Sequence, residues 1–149
     1  LYSALDRNRC EYGIRETYPY RVGENVYNEG GEYHNGGVWP WLMFCDIAGR
    51  YKNGRAEDAE NLITQLGYYD LVLPGDYRPN EYLNGETGEN CGLEVQGWSS
   101  ALFGTIYFGA FEFEYENELL TIKCNLPARK YSVKLLHSDG KVITVSSEK

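Results

Sequence analysis

Tyr33-His34-Asn35-Gly36-Gly37-Val38-Trp39-Pro40-Trp41 is the stretch on which the reading of the fold turns. Two glycines stand directly before apolar residues at helical spacing, namely Val38, Trp41, Leu42, Cys45 and Ala48, with Phe44 and Tyr51 widening the stripe. Pro40 suits a first turn, where its missing N–H costs nothing. Gly54 interrupts the pattern, which resumes with Ala56, Ala59, Leu62, Ile63 and Leu66. So short a connection predicts two antiparallel helices over 38–53 and 55–72. Gly36-Gly37 lets backbone approach a ligand closely, which places His34 and Asn35 at the mouth of the first helix. Trp39 and Trp41 point about 200° apart on a helix. One belongs to the core, and the other is free to face a pocket.

Outward from this pair the chain alternates between glycine-rich and periodic segments. Residues 1–5 read as the last turns of a helix. The stretch from there to Gly31 is rich in Gly, Asn and Glu and contains Thr17-Tyr18-Pro19-Tyr20. A loop that long is usually functional. Residues 74–97 carry Pro74, Gly75, Pro79, Gly85, Gly88, Gly92 and Gly97 and read as loop. Trp98, Ala101, Leu102, Thr105, Ile106, Gly109 and Phe113 then trace a third helical face, predicting a helix over 98–113. After Glu116-Asn117-Glu118 the period changes to two, through Leu120, Ile122 and Cys124, then Tyr131, Val133 and Leu135, then Val142, Ile143 and Val145. Ser138-Asp139-Gly140 is a hairpin turn signal. The expected division is therefore 1–116, mainly helical, and 117–149, a small β tail.

Composition narrows the partners. At 149 residues the chain has the size of one domain. Its 14 basic and 22 acidic residues give a net charge of −8, without a Lys/Arg cluster longer than Arg129-Lys130. Nucleic acid and phosphate-rich membranes are thus not expected as partners, and no apolar run approaches the roughly 20 residues of a membrane span. Tyr supplies 14 aromatics against 3 Trp and 5 Phe. A ring with a polar tip fills helix interfaces, and it also stacks on the C–H faces of sugars. Cys10, Cys45, Cys91 and Cys124 lack metal-ligand spacing, and only His34 and His137 could join them, so neither metal nor cofactor is expected. Two disulfides are permitted but not required. Cys45, on the apolar stripe, is expected as a buried free thiol, and the compartment stays open.

Two further segments carry chemistry. In Asn80-Glu81-Tyr82-Leu83-Asn84-Gly85-Glu86-Thr87-Gly88-Glu89, the carboxylates of Glu86 and Glu89 read as solvated loop. Glu81 differs, because it stands between an amide and an aromatic, a setting in which a carboxyl can gain the proton affinity that acid–base work needs. Gln96-Gly97-Trp98-Ser99-Ser100 opens the predicted third helix, with Ser99 or Ser100 as its cap. Trp98 leads the apolar stripe, which leaves Gln96 as the residue to touch a ligand.

Taken in order, Tyr33-His34-Asn35-Gly36-Gly37-x-Trp39-Pro40, a helical hairpin, Glu81-Tyr82-x-Asn84-Gly85, and Gln96-x-Trp98-Ser99-x-Ala101 resemble the C-terminal part of the six-hairpin (α/α)6-barrel glycoside hydrolases. These include the alkaline/neutral invertases, the processing α-glucosidases with their bacterial relatives, and amylo-α-1,6-glucosidase-like proteins. The resemblance implies a mainly α fold, a fragment of an (α/α)6 toroid with a small C-terminal β element. It implies inverting hydrolysis of an O-glycosidic bond in an oligosaccharide or disaccharide, with Glu81 as general base. Tyr33, His34, Asn35, Trp39, Tyr82 and Gln96 would line the sugar subsite. The general acid, an Asp about 6.5–9.5 Å from the base, would come from the remaining part of the barrel, whether in the same chain or in a separate one. Asp6, Asp46, Asp58, Asp70, Asp76 and Asp139 match no such position.

Two other functions stay open at this level. A disaccharide phosphorylase of the same clan would replace the base with a basic phosphate pocket, which Glu81 and the scarcity of nearby Lys/Arg disfavour. A non-catalytic carbohydrate-binding or structural piece is the other. As part of a toroid, the chain is expected to expose apolar surface on at least one helix, where the neighbouring helices are missing.

Overall fold

The computed structural model describes residues 2–127, 131–136 and 139–147. A short N-terminal helix α1 (Tyr2–Leu5) runs through a 3-10 turn into a tiny hairpin of β1 (Arg9–Cys10) and β2 (Gly13–Ile14). The expected helical pair follows as α2 (Pro40–Lys52) and α3 (Ala56–Gly67), which pack on each other. A widened turn, Tyr68–Val72, extends α3 to the end the periodicity predicts.

The buried face of α3, Ala59, Leu62 and Leu66, is the one its spacing indicates. That of α2 is not. Met43, Ile47, Arg50 and Tyr51 are buried, whereas Trp41, Leu42 and Cys45 are exposed. A buried arginine hides the true core face from a hydropathy reading. The Arg50 side chain is 0% exposed and donates to Asp46 at 2.7 Å, to Asp6 at 2.8 Å and to Asp58. Arg9 and Arg55 close the cluster around Asp6 and Asp58, and Arg50 and Arg55 also lie over the Tyr2 ring. Burial opposes charge on Asp6, but hydrogen bonds from Arg50 and Arg55 outweigh it and bring the carboxyl to about 2.

Residues 74–97 correct the expectation of a loop. Asn80–Leu83 (β3) and Asn90–Glu94 (β4) form an antiparallel hairpin. Glycine marks its turn and its irregularity rather than the absence of strand: Gly88 and Gly92 have φ of 74° and 77°. Asn80 pairs with Glu94 and Tyr82 with Cys91, so Gly92 and Leu93 together face Glu81 in a β-bulge.

The third helix is also corrected. Ser99–Phe103 is a 3-10 turn, Ile106–Ala110 a π turn, and strand β5 (Phe111–Glu116) begins inside the segment 98–113 predicted as helix. Phe111, Phe113 and Tyr115 alternate with Glu112, Glu114 and Glu116, a period of two that favours strand. β5 pairs with β6 (Leu119–Cys124), and β7 (Tyr131–Leu136) pairs with β8 (Val142–Ser147). The strands after 119 fall where alternation places them. Ser138 of the turn signal lies outside the described residues.

Among the described residues helix accounts for 34% and strand for 28%, the latter in four separate two-stranded antiparallel sheets. A mainly α fragment of an (α/α)6 toroid with strands confined to a C-terminal element is therefore not what the chain forms. Strands occur ahead of the tail, at β1–β2, β3–β4 and β5, and its architecture mixes α and β. One core joins Ile14, Val38, Met43, Ile47 and Tyr51 to Ala59, Leu62, Leu66, Leu83, Ala110 and Phe111.

Candidate functional site

Val38 and Leu83 exchange backbone hydrogen bonds of 2.8 and 2.9 Å in an isolated bridge. That bridge brings the Tyr33–Trp39 block against β3, although the two lie more than 40 residues apart. Tyr33 sits at φ 37°, and its carbonyl accepts both the Gly37 N–H at 2.9 Å and the Trp39 Nε1–H at 3.2 Å. The tight turn so formed lays the ring of His34 on Trp39, with centroids 5.3 Å apart and planes inclined 15°. Tyr82 covers Trp39 at 5.1 Å and 24°, and Tyr33 abuts His34, Trp39 and Tyr82 edge-on at 4.3, 4.9 and 5.6 Å.

Four of the expected subsite residues are thus one aromatic cluster. Within it Trp39 is buried, its neighbours being His34 and Tyr82, so solvent meets the outer rings, His34 above all. Trp41 is the exposed member of the Trp pair, and Trp98 is exposed as well. Burial and the adjacent Cys91 thiol push the Tyr82 hydroxyl up to about 12, which keeps it a neutral donor.

The other expected residues are placed differently. Asn35 is buried and its amide is spent on the loop: it donates to Arg21 O at 3.1 Å and Asn28 O at 3.0 Å and accepts from Arg21 N–H at 2.7 Å. Gln96 is half-buried, and its backbone N–H reaches Pro79 O at 3.1 Å, just beyond the end of the β3–β4 pairing. Glu81 is half-buried on β3, where its Oε2 accepts the Leu93 N–H at 3.0 Å. Gly92 makes room for that carboxylate, since a Cβ there would collide with it. Ser99 Oγ donates to the Glu81 carbonyl at 3.5 Å. Neighbours on a strand point to opposite faces, so the Glu81 side chain leaves β3 on the face away from Tyr82 and lies outside the aromatic cluster.

Three acidic residues with contacts in or near this region escape a reading of the sequence. Glu16, from the long loop, has its Oε2 2.9 Å from His34 Nδ1. Glu86, read as solvated, holds Arg15 at 3.1 Å and the Tyr20 hydroxyl, while Arg15 Nε donates to Gly85 O at 3.0 Å. Asp70 is buried and accepts the Asn80 N–H at 3.1 Å on one oxygen, while the other has no hydrogen-bond partner. Its one visible signal is a carboxylate within the apolar run Tyr68-Tyr69-Asp70-Leu71-Val72.

Burial raises Asp70 to about 6, against the hydrogen bonds from Asn80. The native state then binds this proton more tightly than an unfolded chain, whose Asp titrates near 3.9. Stability falls as pH rises from about 4 through 6, and at neutrality the cost reaches about 3 kcal/mol. Asp70→Asn should stabilise the protein above pH 6 and have little effect near pH 4. Urea unfolding of parent and variant across this range checks it, and a difference that does not change with pH would contradict the assignment.

No protein-family model and no curated protein matches this chain. Among the described residues, no three His, Cys, Asp or Glu side chains gather as a metal site, the four cysteines are free, and Cys45 is exposed. No described helix is long and apolar enough to cross a membrane.

Proposed function

We propose that this chain supplies one wall of a glycoside hydrolase site, at which Glu81 activates water for inverting cleavage of an O-glycosidic bond. The observation that carries the reading is the partly exposed stack of His34, Trp39 and Tyr82, edged by Tyr33 and adjoining the strand that holds Glu81. Flat rings with polar tips suit the C–H faces and hydroxyls of a sugar. The Leu93 N–H fixes the Glu81 carboxylate without neutralising it, and an acceptor held in place is what a general base requires. The order of the motifs, with Glu81 in the base position, supports the same reading.

The general acid comes from polypeptide outside these residues, about 6.5–9.5 Å from the base. The chain by itself is expected to bind an oligosaccharide or disaccharide weakly and not to cleave it. Arg78 is engaged by Asp76 and Arg15 by Glu86, which weighs against a phosphate-using reaction.

Titrating isotope-labelled protein with methyl glycosides and short oligosaccharides tests the platform. Resonances of Tyr33, His34 and Tyr82 should move together for at least one sugar. Tyr82→Ala should weaken that binding about fivefold, in line with the ~1 kcal/mol of an aromatic stack. Binding that ignores Tyr82→Ala, or shifts confined to other surfaces, would refute the placement.

A further inference from the structure

The pair formed by Glu16 and His34 has a chemical consequence that neither residue shows alone. An ionised carboxylate only accepts hydrogen bonds, so at 2.9 Å from Glu16 Oε2 the His34 Nδ1 must carry the proton. A neutral imidazole then leaves Nε2 as an acceptor. The His34 side chain is 61% exposed, lies flat on Trp39, and makes no hydrogen bond through Nε2 among the described residues. Glu16 is itself held, its N–H donating to Gly37 O at 3.0 Å beside the motif that carries His34.

We infer that Glu16 is a positioning residue that locks His34 in the Nδ1–H tautomer, so that Nε2 accepts a hydrogen bond from a sugar hydroxyl at the rim of the aromatic stack. This rests on the sugar-binding reading above. A free imidazole favours the opposite tautomer in water. Its Nε2–H would then be a donor, and a hydroxyl would have to turn around to meet it. Glu16 therefore sets whether the platform accepts from a sugar hydroxyl or donates to it, and it does so without touching the ligand.

Long-range 1H–15N correlation spectra of the histidine ring, taken where the ring is neutral, read the tautomer directly. The parent protein should show a protonated Nδ1 and a bare Nε2, and Glu16→Ala should reverse the two. In the titration with methyl α-glucoside, methyl β-glucoside and maltose, the bare Nε2 should shift for the sugar that binds. Glu16→Ala should weaken that sugar several-fold, the worth of one hydrogen bond. A parent ring protonated on Nε2, or a tautomer that Glu16→Ala leaves unchanged, overturns the inference whatever the sugars do. The expected tautomer together with sugar shifts at Tyr33 and Tyr82 but none at Nε2 overturns the acceptor role alone. No shift at any ring is the failure of the sugar-binding reading, and it removes the acceptor role with it.

Discussion

Glu81→Gln, in a preparation that joins this chain to the polypeptide bearing the acid, is expected to lower kcat by about 10²- to 10⁴-fold while KM changes little. The amide keeps the shape of the carboxylate, and its oxygen can still accept the Leu93 N–H that holds the side chain at 3.0 Å. What it loses is the ability to take a proton from water, so the deficit falls on the transition state alone. Glu89→Gln is the matching control, an exposed carboxylate on the same hairpin. Glu86 does not serve as one, because it binds Arg15 and Tyr20 and its loss would loosen the turn. Steady-state kinetics would reject the role if Glu81→Gln kept most of its turnover, or if Glu89→Gln were equally impaired.

Arg50→Met should be the most damaging single change for stability, at about 3–5 kcal/mol. The methionine fills much of the space, but Asp6, Asp46 and Asp58 lose the guanidinium that each now engages. Asp46 suffers most, since its side chain is only 10% exposed and its other oxygen already has no hydrogen-bond partner. Replacing the acids along with the arginine should recover part of the loss, because the penalty belongs to uncompensated buried charge rather than to the absent ion pairs. Acid should weaken the parent in a related way. Asp6 is held at about 2, so its contribution is present above the usual Asp range near 4 and fades as pH falls from 4 toward 2. Urea unfolding measures both effects. A loss below about 1 kcal/mol for Arg50→Met would place the cluster among ordinary surface ion pairs.

How much of this is legible in the sequence depends on the kind of residue that holds each element. The α2–α3 pair is legible because Gly36-Gly37, Pro40 and Gly54 punctuate it and Ala59, Leu62 and Leu66 repeat at helical spacing. The inward face of α2 is not, since a buried arginine looks polar to any periodicity while Trp41 and Leu42 look like core. Glycine density hides the β3–β4 hairpin, because Gly88 and Gly92 serve a turn and a bulge within it. In 98–113 the aromatic spacing fits helix at one end and strand at the other, and the strand begins at Phe111. The site divides in the same way. Tyr33, His34, Trp39 and Tyr82 announce themselves as rings among turn residues, and the structure gathers them. Glu16 and Asp70 act through contacts 18 and 10 residues away, which no local pattern records.

Chemical rescue tests the central claim most directly. In Glu81→Ala, combined with the acid-bearing polypeptide, the space left by the carboxylate should admit azide, a nucleophile that needs no base. Azide should then attack the anomeric carbon while the acid protonates the departing oxygen, giving a glycosyl azide whose anomeric configuration is opposite to that of the substrate. Recovered turnover with that inverted product, followed by 1H NMR, is the expected result. No recovery in a folded variant, or a glycosyl azide of retained configuration, would contradict Glu81 as the base of an inverting hydrolysis.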